Sequence, residues 1–387
     1  MRVRSLPQLR HVLSPREMAQ VTRIGLEIAF GKPTPADSHL SAADWLSRRI
    51  NPDTSPTAWR FFQRVTHFAL SVDLPDVSYP ELIETGRNLL RYGPPGIVDG
   101  GCAAITGELE RRVAAGGGEI RLRQDVRAIA HDGQRVTGVQ VRDQITGEES
   151  HVTAPLIISN IAPEVTRSLA CLPSAHAATP AAAPRKEASG LKVHLLSDHS
   201  IIPHKGIMFC LDTDRIAGIV QVTNADPRLA PAGKHLLITH QLMRSDDVNA
   251  EREAARADLR YLFGDAFGTS INILTMSQYR GEWPVNRARQ GEDLPQTLPL
   301  AGLYLVGDAV KPSGYLMVEG VAQSVNTLFD VIEATTGTPA AGAPATRPGG
   351  HVPPKPARSR ALRWLVAPPA PHPDSRSAAT GRVTREA

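Results

Sequence analysis

The amino-acid sequence predicts an α/β fold in which a part with a parallel sheet is joined to an α+β part. Three observations support this prediction. A short apolar run at 303–306 is followed by Gly307-Asp308 and then by a helical pattern, the strand–turn–helix order that parallel sheets use. Strand and helix patterns also alternate between residues 92 and 165. The segment 191–280 reads as several strands with one covering helix.

The C-terminal helical pattern is amphipathic. Its apolar positions recur at spacings of three and four: Val318, Val321, Ala322, Val325, Leu328, Phe329 and Ile332. Gly337 follows and predicts the end of the helix. A strand ending in Gly-Asp before a helix N-terminus sets a carboxylate beside unpaired N–H groups, which can hold hydroxyl groups and a developing negative charge. Asp308 could equally end a strand in a turn, and Glu319 could merely complement the helix terminus.

Composition restricts the class of protein. The 387 residues are 41% hydrophobic, enough for real cores in one large or two ordinary domains. No apolar run reaches the length of about 18 residues that suggests a membrane span, and the first residues do not resemble a signal peptide. The three cysteines form no CxxC pair and the thirteen histidines form no HExxH motif, so we expect no metal site and a reducing, cytoplasmic location.

The basic charge is concentrated at the C-terminus. The segment 338–387 carries eight Lys and Arg against two acidic residues, whereas the whole chain has a net charge of only +4. The rest of the chain is therefore slightly acidic, which argues against a nucleic-acid partner. The Pro/Ala/Arg-rich composition of 337–387 predicts disorder. Its apolar patch at 361–367 offers a weakly supported contact with a membrane surface.

The first ninety residues read as helices. Ser14, Pro15 and Glu17 have the pattern of an N-cap, a first-turn proline and a capping-box partner. Ser41 and Asp44 repeat the device, and the apolar segment 59–70 follows. These residues carry no catalytic constellation, so we interpret them as a scaffold or pocket wall.

Two further segments contain the predicted strands. In the first, a Gly-Gly loop leads into a helix with Ile105, Leu109 and Val113 on one face, and Gly116 ends it. Its predicted strands are 119–123, 125–130, 135–141 and 156–159. The second segment has predicted strands at 191–196, 207–211, 218–223, 236–242 and 271–277, with a helix at 248–263.

Two stretches resemble a known family. Residues 302–334, GLYLVGDAVKPSGYLMVEGVAQSVNTLFDVIEA, are similar to the C-terminal flavin motif of FAD-dependent amine oxidases. They resemble more closely the phytoene desaturase-like group, which includes carotenoid desaturases and isomerases and retinol saturase. The order of a Gly-Gly helix, GGEIRL, a hairpin and SNIAP between residues 92 and 163 is similar to the same group.

The resemblance implies a fold and a cofactor. The fold would be an FAD-binding, Rossmann-like domain of the glutathione-reductase type with an α+β substrate domain. Gly307 and Asp308 would meet the flavin's ribityl chain, and the backbone at Val318 and Glu319 would face O2 and N1 of the ring. The backbone of Val126 would meet the adenine.

The implied domain division alternates along the chain. It comprises helical substrate-domain residues 1–91, FAD-binding residues 92–165, substrate-domain residues 166–300, the FAD-binding motif 301–336 and the tail 337–387. Trp283 and Tyr315 match stretches that lie near the flavin in this family, and either could wall the substrate pocket or be ordinary core.

One expected motif is missing. The resembled family opens with a strand, a GxGxxG turn and a helix that cradle the FAD pyrophosphate, and this sequence has no such motif. The predicted dinucleotide-binding domain is therefore incomplete at its N-terminus. Three explanations stay open: a misplaced start that truncates the sequence, a second polypeptide that supplies the unit, and a remnant that no longer binds FAD.

The resemblance implies a hydride transfer between an apolar polyene or isoprenoid substrate and flavin N5. No residue stands out as a general base. A flavin amine oxidase, the alternative enzyme, would need an aromatic pair beside the flavin, for which Tyr315 is the single good candidate. A non-catalytic remnant, or one half of a split flavoprotein, is the alternative from another class.

Overall fold

The structure is a computed structural model. It describes residues 12–32, 37, 39–93, 96–173, 188–280, 294–315 and 317–336. The predicted tail at 337–387, the helix stop at Gly337 and Trp283 therefore lie outside the described residues.

The first part of the chain is helical, as predicted. Its helices are α1 (Pro15–Phe30), α2 (Ala42–Ser47), α3 (Pro56–Leu70) and α4 (Tyr79–Tyr92). The capping boxes of Ser14 with Glu17 and of Ser41 with Asp44 are both formed. α4 was missed, although the Ser78 side chain caps it by accepting a hydrogen bond from the backbone of Glu81.

A hydrophobic core holds these helices together. The side chains of Ile24, Trp45, Leu46 and Ile83 are essentially fully buried in it. Trp45 stacks on Tyr79 with ring centroids 5.0 Å apart. α1 and α4 therefore pack as one layer rather than as separate amphipathic helices.

The next segment forms one helix, a three-stranded antiparallel sheet, a short separate strand and another short helix. These elements are α5 (Gly101–Ala115), β1 (Gln124–His131), β2 (Val136–Asp143), β3 (Glu149–Thr153), β4 (Ile157–Ser159) and α6 (Pro163–Leu169). β1 and β2 confirm two predicted strands, and Gly116 caps α5 as predicted. β3 and α6 were not predicted, because ESHVT is mostly polar and α6 has only seven residues.

The strand predicted at 119–123 is wrong. These residues form no sheet, and Arg123 has a positive φ of 60°. The apolar side chains of Ile120 and Leu122 are 51% and 75% exposed. A strand is stabilised by a neighbour, and among the described residues no strand lies beside this segment.

A five-stranded antiparallel sheet with a covering helix follows. Its elements are β5 (Ser189–Ser197), β6 (Met208–Phe209), β7 (Ile216–Gln221), β8 (His235–Leu242), α7 (Val248–Phe263) and β9 (Ile271–Arg280). The strand order is β6-β7-β8-β5-β9, and the predicted bounds of α7 are confirmed. Leu191, Val193 and Leu195 of the interior strand β5 pack with Ala255 and Leu259 of α7. The other face of the sheet lies toward α3.

The chain then returns to β4. Strand β10 (Leu303–Leu305) pairs with β4 in parallel, and helix α8 (Met317–Thr336) follows. A small core of Ile129, Val136, Leu300 and Leu303 joins this pair of strands to the three-stranded sheet. Within the described residues, the antiparallel sheet of the second part has five strands, whereas the parallel sheet has only two.

Candidate functional site

Two strand ends meet at the C-terminal edge of the parallel pair. β10 is followed by Gly307-Asp308, and β4 is followed by Asn160. Gly307 has a φ of 112°, and a side chain there would collide with the amide oxygen of Asn160, so only glycine fits. In open α/β sheets, ligands bind in the crevice outside the carboxyl ends of the strands.

The first turn of α8 lies beside this crevice. The Gly307 N–H donates to the Ser324 hydroxyl of α8 at 2.9 Å, which fixes the strand end against the helix. Val318 and Glu319 are exposed, and the first N–H groups of a helix have no acceptor within it. Met317 has a positive φ of 51°, a strained conformation for a residue with a side chain. The turn Asp308–Val310 also packs on α8, so the helix is held against the residues that follow β10.

α8 buries only part of its predicted apolar stripe. Leu328 is buried together with Gly320 and Ser324, and Val321 and Ile332 are half-buried. Four residues of the stripe remain exposed: Val318, Ala322, Val325 and Phe329. Their spacing of four, three and four places them on one side of the helix. This stripe is therefore available to a ligand or to another element.

Tyr315 lies in the loop before α8. Its side chain is half-buried, and burial, followed by the nearby Tyr92 and Glu319, raises its pKa. Tyr92 belongs to α4, so Tyr315 sits between the helical layer and the start of α8. This position is consistent with a pocket wall.

The loop that begins α5 is fixed to the five-stranded-sheet region. The Gly100 N–H donates to the carboxylate of Asp226 at 2.9 Å. A Cβ on Gly101 would lie 3.1 Å from Leu229 Cδ2, and both glycines have positive φ. The side chain of Arg228, with these backbone N–H groups, lowers the pKa of Asp226, which stays ionised and holds the loop.

A buried hydrogen-bonded cluster lies on the sheet face toward α3. The Tyr279 hydroxyl is 2.9 Å from the Ser71 hydroxyl and 3.0 Å from Nε2 of His240. Burial lowers the pKa of His240 to about 3, so its ring is neutral at pH 7. The Ser71 backbone has a positive φ of 61° where α3 ends.

Lys192 stands at the edge of that cluster. Its Nζ lies 5.5 Å from the centre of the Tyr279 ring. Part of the side chain is exposed, yet the surrounding protein lowers the pKa of its ammonium by burial. Sequence reasoning missed Lys192, although the alternation in LKVHLLS puts it on the face opposite Leu191 and Val193.

Five of the predicted site residues follow one another closely along the chain. Gly307, Asp308, Tyr315, Val318 and Glu319 lie between the end of β10 and the first turn of α8. Asp308 begins a single 3-10 turn. This part of the predicted site is thus continuous along the chain and through the bond from Gly307 to Ser324.

Val126 lies apart from that group. It is in β1, is partly exposed and stands next to a β-bulge. Its strand contacts the region of β10 through the small core around Ile129 and Leu303. The predicted site is therefore distributed over two sheets.

The parallel pair β4–β10 is an unusually small sheet. Strands of parallel sheets are normally covered on both faces and flanked by further strands, yet Ile158 of β4 is 48% exposed. None of the described residues of α5 is buried, and its predicted apolar face includes Leu109, which is 57% exposed. Exposed apolar side chains therefore occur on α5, at 120–122 and on β4.

Within the described ranges, no group of His, Cys, Asp and Glu side chains could hold a metal ion. None of the helices in those ranges is long and apolar enough to cross a membrane.

Residues 5–324 match the family model described as flavin containing amine oxidoreductase. An uncharacterized protein of Methanocaldococcus jannaschii is 31% identical over 327 residues, which are 84% of this chain and 75% of that protein.

Two solved structures are also similar. An oxidoreductase from Methanosarcina mazei superposes with a TM-score of 0.71 at 30% identity, over 84% of this chain and 75% of that one. A Pyrococcus furiosus protein superposes with a TM-score of 0.62 at 23% identity, over 85% and 73% of the two chains. The second likeness concerns the fold alone.

Proposed function

Because the chain belongs to the family of flavin containing amine oxidoreductases, we propose that this FAD-dependent oxidoreductase moves a hydride between an apolar substrate and flavin N5. The substrate class that we propose is a polyene or isoprenoid. The observation that supports the cofactor site best is that Asp308 follows a parallel strand and that its turn, Asp308–Val310, packs on α8.

The residues at this crevice fit the flavin half of FAD. The carboxylate of Asp308 would accept hydrogen bonds from ribityl hydroxyls, and the N–H groups at Val318 and Glu319 would face the pyrimidine edge. Bound FAD supplies the redox chemistry, in which reduction places negative charge on that edge. A helix N-terminus held in place stabilises this charge without reorganisation. Val126 would meet the adenine through its backbone.

We place the exposed side chain of Lys192, beside the Tyr279 ring, at the edge of the substrate pocket. Its positive charge would there repel a protonated amine, which favours a neutral, apolar substrate. Tyr315 adds an aromatic wall between α4 and α8. Since its pKa is lowered, Lys192 at that place could also hold or move a proton at its Nζ.

The flavin amine oxidase alternative is separated by substrate. We expect polyenes, but not primary or secondary amines, to reduce the flavin of the FAD-loaded protein. The loss of visible flavin absorbance under anaerobic conditions measures this reduction. Bleaching by amines alone would reverse the assignment.

The open surface beside β4 suggests a further element. We propose that a dinucleotide-binding βαβ unit adds parallel strands between β4 and residues 120–122 and packs on α5. The unpaired extended segment at 120–122, the exposed face of α5 and the two-stranded sheet support this proposal. The unit could belong to the same polypeptide or to a second one, which would make this chain one half of a split flavoprotein.

The first experiment is a visible absorption spectrum of the 387-residue chain before and after incubation with FAD. We expect a bound-flavin spectrum and an increase of about 10- to 100-fold in the Kd for FAD in Asp308→Ala, since a hydrogen bond to a charged group contributes about 1.5–3 kcal/mol. Asp132→Ala, in the turn before β2, is the matched control and should leave the Kd unchanged. A protein that stays colourless would show that the chain alone does not hold FAD, and the spectrum would then be repeated with a βαβ unit supplied.

A further inference from the structure

The loop before α8 is held by one face of α4. The carboxylate of Glu81 accepts hydrogen bonds from the Lys311 ammonium at 3.1 Å, the Ser313 hydroxyl at 2.5 Å and the Gly314 N–H at 2.8 Å. Further along α4, the amide of Asn88 donates to the Gly314 carbonyl at 2.8 Å. Residues 81 and 88 are two helical turns apart, so a single face of α4 contacts residues 311, 313 and 314 of the loop.

The ion pair in this contact is completely buried. The side chains of Glu81 and Lys311 are both 0% exposed. Burial alone would raise the pKa of Glu81, but the Lys311 charge and the bonds from Ser313 and Gly314 bring it below its ordinary value, so the carboxylate is ionised. Burying two charges is costly, and replacing both by apolar groups is often neutral or stabilising. Stability of the fold is therefore a weak explanation for this pair.

Lys311 also contacts the first turn of α8. A Cβ on Gly320 would lie only 2.6 Å from Lys311 Cδ and 3.3 Å from the Tyr315 carbonyl oxygen. The stem of Lys311 therefore passes directly over Gly320, which has no room for a side chain. The pair thus connects α4 to the exposed N–H groups at Val318 and Glu319.

We propose that Glu81 is a positioning residue for the flavin. It holds Lys311 and the loop, and these contacts fix the position of the first turn of α8. This inference rests on the proposed role of that turn at the pyrimidine edge. A rigid turn stabilises the reduced ring because its dipoles need not reorient as charge develops. Glu81 itself does not touch the reacting atoms.

The test removes the pair without leaving a single buried charge. Glu81→Gln/Lys311→Met is preferred to either single variant, because an unpaired charge at this place would unfold the protein. The matched control is Glu251→Gln/Arg215→Met. Glu251 is likewise buried, pairs with Arg215 at 3.2 Å and accepts N–H bonds from Arg244 and Ser245, but it lies between α7 and the five-stranded sheet.

Two readouts separate positioning from general stability. In the apoprotein we expect faster hydrogen exchange at the amides of 314–320 in the first variant and not in the control. In the FAD-loaded protein we expect the Kd for FAD to rise about tenfold and the midpoint potential to fall. The removed pair has no net charge, so a lower potential reports the position of the helix rather than a lost cation. Both variants should lose thermal stability to a similar small extent.

The outcomes are distinct from those of the proposed function. Wild-type protein that takes up no FAD, alone or with a βαβ unit supplied, would contradict the flavin assignment, and the exchange readout would then decide whether the pair holds the turn. Unchanged exchange and unchanged flavin properties in Glu81→Gln/Lys311→Met would overturn the inference. Equal changes in the control would reduce Glu81 to a residue that stabilises the fold.

Discussion

Two helices of nearly equal length, one in each half of the molecule, differ in how much of their apolar face is buried. α7 has 16 residues and buries Ala255 and Leu259 against the five-stranded sheet. α5 has 15 residues and buries none, although Ile105, Leu109 and Val113 give it an apolar face. An amphipathic pattern thus predicts that a helix forms, but it does not predict that its partner is present.

The two sheets also differ in how far their faces are covered. The antiparallel sheet is covered by α7 on one face and by α3 near Phe68 and His240 on the other. The parallel pair β4–β10 leaves Ile158 exposed, and the apolar stripe of α8 is uncovered. We infer that the helical layer and the antiparallel sheet form the self-sufficient part of the protein. The part with α5, β4, β10 and α8, which we call the open part, is the place where we propose that FAD and further strands bind.

The largest expected effect lies in the self-sufficient part. Leu46 is fully buried in the core of the helical layer, so Leu46→Ala should lower the free energy of unfolding by about 2–5 kcal/mol through lost burial and a cavity. Urea denaturation followed by circular dichroism measures this loss.

The matched substitution in the open part is Leu109→Ala, which we expect to change the free energy of unfolding by less than about 0.5 kcal/mol. A loss close to that of Leu46→Ala would show that α5 is packed in solution, and the contrast between the two halves would be wrong.

FAD should act almost entirely on the open part. At about a hundredfold excess over its Kd, a ligand that binds only the folded protein stabilises it by about 2.7 kcal/mol. We expect the accompanying protection from hydrogen exchange in α8 and around residues 307–308, with little change in α7. Protection spread evenly over both halves would argue that they fold as one cooperative unit.

Local signals predicted most of the self-sufficient part. The capping boxes at Ser14 and Ser41 and the period of α7 need only neighbouring residues, and all three predictions are confirmed. The strand at 119–123 failed because a strand depends on a neighbour, and the alternation of Ile120 and Leu122 says nothing about whether one is there.

The site divides in the same way. Gly307, Asp308 and the start of α8 are consecutive in the chain, so sequence could place them beside one another. Glu81 could not be found, because its partner Lys311 is 230 residues away and a glutamate in the first turn of a helix is ordinary. Burial of both charges is the property that marks the pair, and only the fold reveals it.

A smaller effect concerns pH in the self-sufficient part. Burial would raise the pKa of Asp73, but its hydrogen bond and charge interaction with His67, and bonds from Leu74 and Gln63, lower it from 3.8 to about 2. A depressed carboxyl pKa stabilises the protein above the unfolded value, and this stability is lost as pH falls from about 4 toward 2. Asp73→Asn should remove about 2 kcal/mol of this pH dependence, as measured by urea unfolding between pH 6 and pH 2.5.

Asp265→Asn, an exposed carboxyl after α7, is the control and should keep the wild-type pH profile. An Asp73→Asn profile as steep as that of the wild type would mean that the contact with His67 does not persist in solution.

The smallest expected effect comes from replacing one helical glycine by alanine in each half of the molecule. Gly25 in α1 and Gly107 in α5 are interior helical glycines, and a Cβ at either would meet nothing within 4 Å. Glycine costs a helix about 0.5–1 kcal/mol relative to alanine. Gly25→Ala should raise the free energy of unfolding by about that amount, because α1 melts with the core around Ile24. Gly107→Ala should leave it nearly unchanged while slowing amide exchange within α5, since a helix without buried residues opens before the core does. Equal gains in global stability from both substitutions would mean that α5 is already coupled to the core, and a βαβ unit would then not be needed to hold it.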